Sequence, residues 1–368
     1  MSSPLVRNAA GDRHAAAQTR LHTGEAGVDD DRPGVHGQEG AAERRQNRMR
    51  AVVYKGAGGN EVVSLEERSD PTPGTHEVLV AAPYAGVNPA DLVQRAGSYP
   101  APPGSPPDVP GLEVAGRVIA RGDAVRNWRE GDRVFGIVGG GGLADRVVVH
   151  ERHVTRVPDA LDDEPAAAVP EAFLTAHDAV VIQAALRLGE TVLINGANGG
   201  VGTAAIQIAS AAGARVFANV RSSGTAERLL ALGAAVVGPD GFVERLEAEG
   251  GADVILELVG APNLAGDLSA LAPKGRIVVV GTGAGTEAAF SLRSLMGKRA
   301  RLMGTVLRAR PLEEKAVAVQ AFGREVAPLL ASGRIVPVVD RVFPAERVTE
   351  AFDYMEQPGK FGKVLLAF

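Results

Sequence analysis

The chain contains no cysteine. That excludes disulfides, cysteine-ligated zinc, iron–sulfur clusters and thiol catalysis. Aromatic residues are sparse, at 4%, while glycine is abundant, at 46 of 368 residues; the balance suits a fold with many tight turns and close backbone contacts. No apolar run approaches the ~18 residues of a membrane-spanning helix. Neither charge sign dominates: the net charge is -5 and the sequence pI about 5.9, which gives little support to a nucleic-acid surface. Histidine is scarce too. Of the 7, His14, His22 and His36 fall in an atypical N-terminal stretch, and of the others only His150 and His153 lie close together. No H-E-x-x-H pattern surrounds them, and they read as surface residues after a strand. What remains is an ordinary globular composition, 45% apolar and 23% charged, long enough for two domains.

Residues 1–48 differ from everything after them. They are rich in arginine without lysine, carry as many acids as arginines, and have no aromatic residue and few large aliphatics. Such a stretch buries too little apolar area to offset its ordering entropy, and a disordered extension is expected. It lacks the apolar core of a signal peptide, and Asp29, Asp30 and Asp31 argue against a transit peptide. At Met49 the texture changes to MRAVVYKG, a first strand, and Met49 is the expected natural start. A genuine disordered tail is the alternative.

Over residues 51–170 short β-rich runs are broken by glycine and proline. Strands are expected at 51–54, 77–82, 113–120, 132–137 and 144–149, forming a small irregular β-barrel. The proline-rich stretch 99–110 must be an extended loop. From Thr191 the period changes. An apolar strand at 191–195 meets a glycine cluster, then a helix at 201–212, a strand at 215–220 and a helix at 226–232 stopped by Gly233. Strands at 253–259 and 275–281 follow, each after a helix-length segment. Strands alternating with helices predict an α/β domain with a doubly wound parallel sheet. A long helix at 312–331, a strand at 338–343, a helix at 345–357 and a strand at 362–368 end the chain, and this tail is expected to return to the first domain. No internal repeat is present.

The glycine cluster carries the chemistry. Strand 191–195 runs into Ala197-Asn198-Gly199-Gly200-Val201-Gly202 and then a helix. Gly199 lets the backbone approach a pyrophosphate, and Gly202 lets the helix pack closely. The helix N-terminus offers free N–H groups and partial positive charge to an anion. Ala197 replaces the first glycine of the usual fingerprint, so that turn must accept a Cβ. Strand, loop, helix and second strand fall in register over about 30 residues, as a dinucleotide site requires; an empty turn serving only packing is the alternative. The second strand selects the nucleotide. An NAD site wants an acid at its end. Here Asn219-Val220-Arg221-Ser222-Ser223 stands instead, and a guanidinium with hydroxyls suits a 2′-phosphate, hence NADPH. Arg221 as an ordinary solvated charge is the competing reading.

Motifs along the chain then resemble a known family. AGVNPADLVQRAGSYP (85–100), PGLEVAGRV (110–118), GDRVFGIVGGGGLADRV (131–147), AAAVPEAFLTAHDAV (166–180), GANGGVG (196–202) and GKFGKVLL (359–366) are similar to the zinc-independent quinone oxidoreductases of the medium-chain dehydrogenase/reductase superfamily. The resemblance implies a GroES-like barrel over 49–171, completed by 312–368, and a Rossmann domain over 172–311. In zinc-dependent relatives a cysteine ligand stands at the place of Asn88, and a Gly-His-Glu motif at Gly111-Leu112-Glu113; with an amide and a leucine there, no catalytic zinc is expected. The family pattern implies that Asn88 and Tyr99 line the nicotinamide and substrate pocket, that Asp91 orients their loop, and that Thr175 faces the nicotinamide. It implies that Gly281 and Gly283 run beneath that ring, that Ser222 meets the 2′-phosphate, and that Lys363 reaches a cofactor phosphate. Thr225 stands where the family commonly has lysine, with Arg221 or Arg228 as compensation.

Each position also has a plain structural reading. Tyr99 can simply cover the barrel. Asn88 before Pro89 can form an Asx-turn, Asp91 can cap a helix, and Thr175 can bond within its own helix. Lys363 can be a strand-end charge. Glu171 after Pro170 reads as a first-turn helix residue and Trp128 as core. Neither a Ser-His-Asp nor a paired-carboxylate arrangement is evident.

The expected activity is direct hydride transfer from NADPH to a quinone in the cytosol, by positioning and by hydrogen bonds to the acceptor oxygen. Reduction of an enone or 2-enoyl thioester is one alternative, and a crystallin-like NADPH-binding protein with little turnover is another. Residues 300–307 read as an apolar sheet edge through which two copies would pair as a homodimer. No nucleic-acid or membrane partner is expected.

Overall fold

The computed structural model describes residues 48–368. The extension expected over 1–48 therefore lies outside the described residues, except for Arg48, which opens the first strand opposite Ser69.

The N-terminal half is built on antiparallel strands. Five of them lie side by side as Arg146–His150, Glu77–Ala81, Glu113–Arg121, Arg133–Ile137 and Val154–Arg156. Side chains alternate along a strand, so Val78, Val80, Val114, Val118, Val134, Val147 and Val149 gather in one core with Trp128. The Trp128 Nε1–H donates to the Glu151 carbonyl at 2.8 Å. A two-stranded sheet pairs Arg48–Tyr54 with Val63–Ser69, and a three-stranded one joins Val339–Pro344, Lys363–Ala367 and Tyr84–Val87. The C-terminal strand runs antiparallel to Tyr84–Val87, with Val364 opposite Val87. The end of the chain thus completes a sheet begun in the N-terminal half.

The second half holds six parallel strands. Counted along the chain from Thr191–Asn195, their order across the sheet is 3-2-1-4-5-6, the doubly wound arrangement that leaves a crevice where the order reverses. Strand Thr191–Asn195 is buried along its whole length, as a central parallel strand covered on both faces must be. Its alternate residues feed two cores: Val192 and Ile194 face one side with Ile206 and Leu256, while Leu193 faces the other with Ile255 and Ile277. Gly233 closes helix Ala226–Ala231 in the left-handed region at φ 105°.

Three local expectations need correction. The single helix at 312–331 is two, Leu312–Glu325 and Ala327–Ala331. Pro328 has no N–H to continue the ladder, but in the first turn of a new helix that loss is harmless. The helix expected from 345 opens as a 3₁₀ turn, Ala345–Arg347, before Val348–Glu356. His150 and His153 are half-buried rather than exposed. His153 Nε2 lies 3.0 Å from the Leu312 carbonyl, and burial depresses its pKa to about 4. Among the described residues no helix is long and apolar enough to cross a membrane.

Candidate functional site

The glycine loop sits at the crevice. Gly196 carries the left-handed turn at φ 76°, which explains how Ala197 can replace the first fingerprint glycine: the residue before it has taken the strained conformation. Ala197 is fully buried. A Cβ on Gly202 would lie 2.6 Å from the Ala197 backbone, so helix Gly200–Ala211 can start where it does only with glycine there. Gly199 is different. It is the N-cap, it is exposed, and a Cβ on it would meet nothing nearer than the Gly196 carbonyl at 3.8 Å. Its open side faces away from the protein's own atoms, above the unpaired N–H groups of the first helical turn. An anion with a pyrophosphate's reach fits that cradle. The C-terminal segment walls it: the Gly362 N–H donates to the Asn198 carbonyl at 2.8 Å, and the Thr225 hydroxyl donates to Asn198 Oδ1 at 2.9 Å.

At the end of the second strand, Asn219 is turned inward. Its Nδ2 donates to Asn195 Oδ1 at 2.8 Å, and Asn195 donates to Glu257 at 2.6 Å and Asp267 at 2.7 Å. Asn219, expected at the cofactor, is thus also a link in a buried network. Burial, and then the Glu257 charge, pushes the Asp267 carboxyl well above the usual carboxylate range. Arg221 and Ser222 are exposed, and the Ser222 hydroxyl accepts the Gly224 N–H at 3.3 Å. The side chain of Ser223 lies outside the described residues. Lys360, which the sequence did not single out, stands near enough to Arg221 that the guanidinium helps lower its pKa, after burial as the main cause. Arg228 stacks on Phe361, 3.8 Å from the ring centroid. Gly281 is needed on packing grounds, since a Cβ would lie 2.2 Å from the Leu258 carbonyl; Gly283 faces open space.

Beside the crevice lies a buried polar cluster. Asn88 caps helix Pro89–Arg95. Asp91 accepts the Asn88 N–H at 2.8 Å and the Gly111 N–H at 3.0 Å, so it caps the helix and also ties it to the Gly111-Leu112-Glu113 turn. Burial is the main reason its carboxyl is pushed up to about 6. Asn88 Nδ2 donates to Glu113 at 2.8 Å. Lys363 donates to Glu113 and to Asn88 Oδ1, both at 2.6 Å, and to the Val87 carbonyl at 3.3 Å. Its three donors are occupied there and not turned to a phosphate as expected. Its stem lies against Gly200, where a Cβ would meet it at 2.6 Å.

Glu171 was set aside in the sequence as a helix-start residue, yet it joins this cluster. Its backbone N–H donates to Glu113 Oε2 at 2.8 Å, and Thr175 Oγ1 approaches its carboxylate at 3.5 Å. Burial, then Glu113, pushes its carboxyl up to about 8. Three carboxyls thus converge where the sequence offered no paired arrangement. Tyr99 is half-buried under Arg308, whose guanidinium stands 4.8 Å from the ring centroid. Arg308 itself is buried, donating to the Gly139 and Tyr99 carbonyls and to Gln94 Oε1 at 2.8, 3.0 and 2.5 Å. It pins the start of the proline-rich loop, a role the sequence around it, LRARPLEEK (307–315), does not reveal because its three partners are remote in sequence.

Comparisons with known proteins agree with this architecture. Residues 74–159 match the alcohol dehydrogenase GroES-like domain and residues 200–322 the family described as zinc-binding dehydrogenase. The human quinone oxidoreductase is 35% identical over 335 residues, covering 87% of this chain and 98% of the relative. A solved quinone oxidoreductase of Pseudomonas syringae pv. Tomato superposes with a TM-score of 0.77 at 27% identity, covering 87% of this chain and 100% of that one. The CurK enoyl reductase superposes with a TM-score of 0.75 at 27% identity, covering 87% and 99%. By sequence and by architecture, the chain belongs to the quinone oxidoreductase family of the medium-chain dehydrogenase/reductase superfamily.

Proposed function

We propose that this oxidoreductase uses NADPH to reduce a quinone by direct hydride transfer, without a catalytic zinc. The observation that carries the reading is the open cradle at Gly199, above a helix N-terminus and beside the Asn88–Glu113–Lys363 cluster. A reduced nicotinamide supplies the hydride when bound; the chain's own residues bind, orient and exclude water. The first-turn N–H groups of Gly200–Ala211 hold the pyrophosphate. Arg221, with Ser222 and Lys360 nearby, meets the 2′-phosphate. Asn88, Tyr99 and Thr175 line the reaction space, and Asp91 holds the Asn88 loop in place. Donor chemistry supports the zinc-independent part. Where zinc-dependent relatives carry a thiolate and an imidazole, this chain has an amide and a buried leucine, and the Lys363 ammonium already neutralises Glu113. An acceptor that is electrophilic by itself, such as a quinone, needs no Lewis acid. The domain division at 171 and 311 and a cytosolic setting belong to the same reading.

Steady-state assays of ortho-quinones, para-quinones and a crotonyl thioester with each nicotinamide cofactor test it. The likeness to an enoyl reductase favours the thioester as the second reading, and preferential thioester turnover would select it. Arg221→Ala is expected to raise the KM for NADPH roughly 10- to 100-fold, the worth of a hydrogen bond to a charged group, and to leave NADH unchanged. An equal effect on both cofactors refutes the 2′-phosphate assignment.

A homodimer is part of the proposal. Arg301–Gly304 is the last strand of the parallel sheet and, among the described residues, pairs on one side only, and the nearby Met296 is 75% exposed. An unpaired edge beside apolar surface favours pairing with a second copy. Monomeric behaviour in light scattering counts against it.

A further inference from the structure

Reducing a quinone or an enone by two electrons takes a hydride and also a proton. The roles proposed above supply no proton donor. The cluster beside the crevice contains one group suited to that task. Asp91 accepts two backbone N–H groups, and Glu113 is paired with Lys363 and Asn88. Both are engaged as acceptors. Glu171 has no cation partner among the described residues, and only the Thr175 hydroxyl approaches its carboxyl group, at 3.5 Å.

The charges facing Glu171 come from every element packed around it. Glu113 and Asp91 repel a negative charge there, and the Lys363 and Lys315 ammonium groups attract one. Tyr99 and Arg308 stand near enough to feel the charge of Glu171. Lys363 gives its hydrogen bonds to Glu113, Asn88 and Val87. Lys315 donates to the Arg308 carbonyl at 2.9 Å, and Arg308 donates to the proline-rich loop. Neither forms an ion pair with Glu171. Burial and the two carboxylates prevail, and the group keeps its proton to about pH 8. It does so half-buried rather than sealed, beside Thr175 and behind the Glu113 carboxylate that Asn88 also holds.

We propose that Glu171 is the proton donor of the reduction, passing its carboxyl proton to the acceptor once hydride uptake has left that acceptor an anion. The proposal rests on the hydride-transfer reading above. The balance is one hydride and one proton per acceptor: two electrons and a hydrogen arrive from the reduced nicotinamide, which leaves oxidised. The new O–H bond of the hydroquinone forms as the Glu171 O–H bond breaks, and the carboxylate regains a proton from water. For an enone, the same proton goes to the enolate.

Glu171→Gln keeps the shape and removes the proton. It is expected to lower kcat/KM with a quinone about 100-fold or more, the usual share of a general acid, while the Kd for NADPH by fluorescence stays within twofold. The wild-type kcat/KM should fall tenfold per pH unit above about 8, and that limb should be absent in E171Q. Glu171→Asp should be slower but retain the limb, which separates proton donation from mere packing. A readout independent of turnover is infrared difference spectroscopy of the cofactor-free protein. Wild type minus E171Q should contain a protonated-carboxyl band at pH 7 that vanishes by pH 10. Absence of that band, a kcat/KM loss under threefold, or an unchanged alkaline limb in E171Q overturns the assignment. A wild type that reduces neither quinone nor enone defeats the hydride-transfer reading, and the assignment falls with it. An active wild type indifferent to E171Q defeats the assignment alone.

Discussion

Lys363→Met is expected to destabilise the fold by roughly 3–5 kcal/mol, the cost of leaving a buried charge without its partner. The Lys363 and Glu113 side chains are 5% and 1% exposed and meet at 2.6 Å. Water therefore cannot replace the ammonium when it is removed. The same ammonium also holds Asn88 Oδ1 and the Val87 carbonyl, so its loss frees the start of helix Pro89–Arg95 and the C-terminal strand together. Urea denaturation monitored by circular dichroism measures the effect. The double variant K363M with Glu113→Gln removes the orphaned charge and should recover a substantial part of the loss, since a buried ion pair adds little over a neutral pair of the same shape. A single-variant loss under about 1 kcal/mol, the range of an exposed pair, would mean that water reaches Glu113.

Gly202→Val is expected to have the second large effect, and to act on binding as well as stability. The added Cβ would stand 2.6 Å from the Cα, carbonyl carbon and oxygen of Ala197. Those are backbone atoms of a loop whose neighbour Gly196 already sits in the left-handed region, so they cannot yield as a flexible side-chain end would. Overpacking of this kind costs about 1–3 kcal/mol. The helix start must also move away from the loop, and a displacement near 1 Å at a positioning element costs about 100-fold in turnover. Fluorescence titration with NADPH should show the affinity falling at least tenfold, and thermal unfolding should show a lower Tm. Gly199→Ala is the control for location. Its Cβ meets no protein atom closer than 3.8 Å, so stability should hold while NADPH affinity drops. Unchanged affinity in both variants would remove the cofactor from this loop.

The two glycines show why the cofactor unit was legible. Gly196 through Gly202 lie within seven consecutive positions, between an apolar strand and a helix; backbone geometry demands Gly196 and Gly202, while Gly199 leaves its outer side open. Strand patterns were legible from local composition too: a run of β-branched residues, as in Val147-Val148-Val149, declares a strand, and the structure buries Val147 and Val149 while Val148 is only partly covered. Even so, local rules missed a partner of Asn219. Strand-end position suggested a ligand contact, but the Asn195–Glu257–Asp267 network claims its side chain, and those partners come from other strands and a helix.

The polar cluster lay beyond sequence reasoning. Asn88 and Glu113 are 25 residues apart, the Glu171 N–H and Glu113 58, and Lys363 and Glu113 250. Each alone has an ordinary explanation as a cap, a strand residue, a helix start or a terminal charge. What distinguishes Glu171 is that two other carboxyls share its surroundings and the nearby cations are engaged elsewhere, which is a statement about three dimensions.

Amino-acid order by itself determined the α/β architecture, the glycine cradle and the absence of thiolate chemistry, because these depend on periodicity, on backbone freedom and on which atoms are present at all. Tertiary structure alone decided that Lys363 neutralises a buried glutamate, that Arg308 pins the proline-rich loop and that burial and the Glu113 charge raise the Glu171 carboxyl. Charge, burial and hydrogen bonding act over a few ångströms of space, and only the packing together of segments remote in sequence, the C-terminal strand against Tyr84–Val87 among them, brings those groups within that range.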